Sequence, residues 1–175
     1  MSEFGANAAV NDADQWRAGV VRDFASSALF DRTFQQGMEL VEQTAAYLDG
    51  PGRQESKQLN RKSALSYASE SMRLTTRLMQ VASWLLVQRA VRQGEMEALA
   101  ACDMRYRLDR DPPAGDADAA SANLPHGLTA LLARSEQLYE RVRHLDRRMY
   151  LDSPPAPEPH PVLSQQERLE AAFKR

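Results

Sequence analysis

The chain is poor in the residues from which most chemical sites are built. Cys102 is the only cysteine, so an intrachain disulfide and a cysteine metal cage are both excluded. A single thiol fits a reducing cytoplasm, and without a CxxC partner it reads as a partly buried small hydrophobe. Histidine is scarce as well. His126, His144 and His160 fall on a helix start, a charged helix face and a proline tail, and none stands at metal-ligand spacing from a second histidine or an acidic partner. No Glu-x-x-His occurs, so Glu39 and Glu42 read as solvated charge rather than part of a di-metal bundle site. The glycines never gather into a phosphate-cradling loop. No catalytic residue, metal or cofactor is expected, and the protein is read as a non-enzyme.

Two further shortages narrow the setting. There is no basic excess: 22 Lys and Arg face 24 Asp and Glu, for a net charge of -2. Phosphate binding is driven by basic residues that displace counterions, so nucleic acid is an unfavoured partner. There is no long hydrophobic run either. The most apolar stretch, Val81 to Val87, is far too short to cross a bilayer core of ~30 Å. Met1 to Trp16 lacks the basic cap and apolar run of a signal peptide, so the expected location is the cytoplasm.

What the chain does have is helical periodicity. Residues 1–22 are polar and carry little apolar rhythm, which predicts a flexible N-terminal arm. A helical domain is expected over 23–151. Ser26 or Ser27 caps a first helix over about 26–49, where Phe34, Met38, Val41, Ala45 and Leu48 share one face. Asp49-Gly50-Pro51-Gly52 stops it, and Gly37 inside it marks a close helix approach. A second helix over about 57–93 contains neither proline nor glycine and extends roughly 50 Å at about 1.5 Å per residue. It bears two heptad stripes. One is Leu65, Ala68, Met72, Thr75, Met79, Ala82 and Leu86; the other is Tyr67, Ser71, Leu74, Leu78, Val81 and Leu85. Trp84, Val87 and Val91 widen the apolar surface near its end. A short helical piece is expected near 95–107, a loop over 109–123, and a third helix over 124–150 carrying Leu128, Leu131, Leu138, Val142, Leu145 and Met149, with Ser135 as the polar exception. Residues 152–175 form a proline-rich tail that ends in a mildly amphipathic segment.

The fold expected is all-α, a three-helix bundle around one long central helix with flexible terminal segments. Ordinary core is the bland account of the second helix. Three helices nevertheless bury at most one broad face of so long a rod, which leaves apolar surface for self-association or partner docking. The candidate dimer or cargo surface is Met72, Leu78, Met79, Trp84 and Val87, and the candidate tail docking motif is Leu163, Leu169 and Phe173. Arginines on the second and third helices, among them Arg73, Arg77, Arg89 and Arg92, would be the contact points of a competing reading, a DNA-associated regulator. A purely structural dimer is the other alternative.

The run Arg61 to Met96, RKSALSYASESMRLTTRLMQVASWLLVQRAVRQGEM, resembles the RcdA family, the alphaproteobacterial regulators of CtrA degradation. GMELVEQTAAYLDGPGR, Gly37 to Arg53, supports the same assignment, and the resemblance spans about residues 24–108. It implies a homodimeric three-helix bundle found in the cytoplasm and at a cell pole. It also implies an adaptor that helps deliver the cell-cycle regulator CtrA to the ClpXP protease, alongside a response-regulator adaptor and a cyclic-di-GMP-binding adaptor. No family motif assigns a partner to an individual residue.

Overall fold

The computed structural model describes residues 3–108 and 123–150, and among them every regular element is helical. In chain order these are α1 (Glu3–Ala25), α2 (Ala28–Asp49), α3 (Pro51–Ser56), α4 (Arg61–Arg92), α5 (Ala98–Ala101), a 3-10 turn (Met104–Tyr106) and α6 (His126–Tyr150). The all-α class is as expected. The tail and most of the 109–123 loop lie outside the described residues.

Local chemistry sets the helix ends. Ser27 caps α2, its hydroxyl accepting from the Phe30 N–H at 3.1 Å, with Asp31 in the first turn. The turn after α2 differs from the expected stop. Gly50 is not left-handed (φ -108°), and Pro51 opens α3 directly, where its missing N–H costs nothing. Asn60 caps α4, accepting from the Ser63 N–H at 2.9 Å. The far end of α4 is closed by Gly94, the only residue with positive φ among those described, at 73°. There the N–H groups of Glu95 and Gly94 bond the carbonyls of Ala90 and Val91 at 2.9 and 3.1 Å, a Schellman closure. Gly37 marks the predicted close approach: a Cβ there would stand 2.6 Å from the Leu85 Cδ1.

The core gathers where α4 packs against α2 and α6, with Leu74, Leu85, Leu128 and Val142 fully buried. The N-terminal arm expected over 1–22 is instead most of helix α1. Ala18, Val21 and Ala25, spaced three and four apart, are buried on its inner face. That face packs on α5, α4 and α6. Phe24 meets the Phe30 and Trp84 rings at 5.8 and 5.7 Å between centroids. A face built of alanine and valine carries weak periodic hydrophobicity, and its burial depends on partners supplied from 80 residues further along the chain. The bundle therefore has four long helices rather than three.

Candidate interaction surface

The two stripes of α4 have separate fates. Tyr67, Leu74, Leu78, Val81 and Leu85 are core, whereas the other stripe faces solvent. Leu65 is 74% exposed, Met72 72%, Met79 65% and Leu86 50%. All the exposed residues of α4 from Leu65 to Leu86 are uncharged: Leu65, Ala68, Met72, Thr75, Thr76, Met79, Ser83 and Leu86. The charges of this segment turn the other way. Glu70 and Arg77 are buried, and Arg73 lies part-buried against Glu70 at 2.8 Å.

Of these inward charges, Arg77 is held by the neighbouring helix, while Glu70 pairs with Arg73 on α4 itself. The Arg77 guanidinium donates to the Ser135 hydroxyl at 2.9 Å, and that hydroxyl donates to the Leu132 carbonyl at 2.8 Å. Ser135, the polar exception in the third helix, is thus the partner of a buried arginine. Burial lowers the Arg77 pKa, the arginine Arg73 adding to the effect. Lower down, the Trp84 indole N–H donates to the Asp146 carboxylate at 2.9 Å. Arg107 clamps the same carboxylate at 2.8 Å through its terminal nitrogen and at 3.0 Å through Nε, while its guanidinium stacks over the Tyr150 ring at 4.2 Å. Gln88 donates to the Tyr150 hydroxyl at 3.1 Å, which in turn donates to the Ala101 carbonyl at 3.3 Å. Burial is the main cause that pushes the Tyr150 pKa up to about 12.

The candidate surface residues therefore fall into two groups. Met72 and Met79 share the outward stripe, and Val87 is half-buried beside it. Leu78 and Trp84 are corrected: they are 4% and 2% exposed, because packing and the indole bond to Asp146 hold them in the core. Leu163, Leu169 and Phe173 lie outside the described residues. Leu65 and Leu86 complete the outward row, and their strict seven-residue interval with Met72 and Met79 is the signal that marks them as part of the surface.

The outward stripe has one further property. Read from either end, Leu65, Ala68, Met72, Thr75, Met79, Ala82 and Leu86 give the same order of residue types. The flanking row Ser69, Thr76 and Ser83 does too. A two-fold axis between Thr75 and Thr76 would set Leu65 of one copy against Leu86 of the other and Met72 against Met79, with only small residues between them. Large and small residues alternate along the row, the arrangement that lets two helices approach closely.

Arg77, Arg89 and Arg92 of α4 have partners within the chain. Arg92 pairs with Asp31 and lies over the Phe30 ring, Arg89 lies over the Phe34 ring at 5.3 Å, and Arg77 is buried. Cys102 is half-buried, its thiol donating to the Ala98 carbonyl at 3.3 Å, and burial raises its pKa away from the reactive thiolate. Among the described residues no three His, Cys, Asp or Glu side chains cluster in a way that could hold a metal ion. No described helix is long and apolar enough to cross a membrane.

Fold and surface together define an all-α bundle with an uncharged helix face turned to solvent. The family described as Protein of unknown function (DUF1465) matches residues 21–173, and the chain belongs to that family. It is similar to RcdA from Caulobacter crescentus CB15, whose crystal structure matches with 64% sequence identity and a TM-score of 0.62, over 75% of this chain and 99% of that one. Among curated proteins none matches. The resemblance read from Gly37–Arg53 and Arg61–Met96 thus has a solved counterpart.

Proposed function

We propose that this chain is a non-enzymatic adaptor of regulated proteolysis that works as a homodimer built on the outward face of α4. The observation that carries the reading is that face: about 30 Å of helix, at about 1.5 Å per residue, showing methionine, leucine and small residues to water with no charge. A symmetric dimer needs one patch complementary to itself, and the end-to-end symmetry of the stripe supplies it. Methionine adapts to varied partners, so Met72 and Met79 also suit a surface that exchanges a second copy for cargo.

Likeness to RcdA, a name that stands for regulator of CtrA degradation, supports the cargo and the setting. In this reading the cargo is the cell-cycle regulator CtrA and the destination is the ClpXP protease, with a response-regulator adaptor and a cyclic-di-GMP-binding adaptor in the same cytoplasmic, polar assembly. The adaptor acts by tethering, so effective concentration takes the place of high affinity for any single contact. The tail motif Leu163, Leu169 and Phe173 is assigned the protease-side contact.

A reconstituted degradation assay tests this. Deleting residues 153–175 should slow adaptor-dependent loss of CtrA severalfold, with helicity and chain association unchanged. Equal degradation by the truncated and full chains would remove the tail from the mechanism, and no stimulation by the full chain would remove the adaptor reading.

A further inference from the structure

A groove of about 780 Å³ lies between α4, the 3-10 turn and the C-terminal half of α6. Its volume is that of a site for a short peptide or a drug-sized ligand. The lining is of two kinds. Met79, Trp84 and Val87 from α4 and Met104 from the turn supply apolar surface, and Met104 is among the most exposed large hydrophobics of the chain. Arg105, Arg107, Arg143 and Arg147 supply positive charge against the single carboxylate of Asp146. In a protein of net charge -2 this is a local inversion of sign.

The carboxylate is already occupied. Arg107 and the Trp84 indole saturate Asp146, so this pair contributes little net field to the groove. Arg143 meets Glu140 at 3.0 Å and Arg105 meets Asp103 at 3.4 Å, both as solvent-screened neighbours on the same element or turn. Arg147 is exposed. Arginines beside apolar surface suit a ligand that carries carboxylates and bulky apolar side chains together, since guanidinium groups bind carboxylates as planar forks.

We infer that this groove is a docking site for an acidic peptide segment of a partner protein, one in which Asp or Glu residues are interleaved with leucine or phenylalanine. Carboxylates engage Arg143 and Arg147, and the apolar side chains seat against Met104 and Val87. The groove shares Met79 with the outward α4 stripe, but Arg143 and Arg147 belong to α6 and Met104 to the turn, so they can be changed with that stripe intact.

The test is fluorescence anisotropy on the full chain, with a fluorescein-labelled peptide of acidic residues interrupted by leucine and phenylalanine. Binding should weaken with added salt. It should fall at least tenfold in Arg143→Glu/Arg147→Glu and severalfold in Met104→Ser, each checked for helicity and for unchanged solution mass. Arg53→Glu/Lys57→Glu, an equal charge change on the exposed surface around α3, should leave binding unaltered. Any of four results overturns the proposal: no binding, equal binding of the peptide with its acids replaced by amides, no loss in the α6 variant, or displacement by inorganic phosphate as effective as by unlabelled peptide. The last would mark a simple anion site. A single-chain solution mass for the unaltered protein, with peptide binding intact, would count against the α4 dimer alone.

Discussion

Along α4, Ser63, Glu70, Arg77, Trp84 and Val91 run parallel to Leu65, Met72, Met79 and Leu86 at the same seven-residue interval, on nearly opposite sides of the helix. The first row is buried although two of its members are charged; the second is exposed although every member is a large hydrophobe. Hydropathy alone would assign the rows the other way round. What decides is the neighbour each row meets. Toward α6 there is a hydroxyl for one terminal nitrogen of Arg77 and a carboxylate for the Trp84 indole, and Glu70 pairs with Arg73, so the row is buried with a partner for each charge and for the indole. On the other side the described residues supply nothing, and a row of hydrophobes left open over this length is the mark of a surface that another segment or molecule completes.

The sharpest way to break the comparison is to truncate one residue on each side. Trp84→Ala removes a buried ring and leaves Asp146 without its indole donor, and should cost about 3–5 kcal/mol, lowering the thermal midpoint by roughly 10 °C. Met79→Ala, five positions earlier and facing out, should change the stability of the single chain by no more than about 0.5 kcal/mol. Calorimetry on dilute protein compares the two; a similar loss from both would mean the two faces are not distinct.

A smaller effect sharpens the inner side. Ser135→Ala deprives the buried Arg77 guanidinium of its hydroxyl partner and should cost about 1–3 kcal/mol in a denaturant titration. Pairing it with Arg77→Met removes both polar groups at once and should recover most of that loss. No recovery would show that Ser135 stabilises α6 by itself rather than through the arginine.

The contrast also explains what could be read from the chain and what could not. Two heptad stripes and three helices were legible, because caps such as Ser27 and Asn60 and the closure at Gly94 act within a few residues. The orientation of α4 was not. It depends on Ser135 and Asp146, 58 and 62 residues downstream, and no periodicity within α4 reports them. Trp84 looked like spare apolar surface for the same reason. Helix α1 was hidden differently: Ala18, Val21 and Ala25 make a small-residue face whose value lies in how closely α5 and α4 approach it. The basic groove joins Arg107 to α6, on either side of residues 109–123 in the sequence, so its arginines read as scattered surface charge until the fold brings them together.

The central claim is that the outward face of α4 is completed by a second copy of the chain. Its most direct test is the mass of the full chain in solution by light scattering, beside a Met72→Glu/Met79→Glu variant that puts charge in the middle of the stripe. The unaltered protein should show twice the 19.6 kDa chain mass, and the variant should fall to a single chain mass with its helicity kept. A single-chain mass for the unaltered protein, or a variant that still associates with the same affinity, would contradict the account.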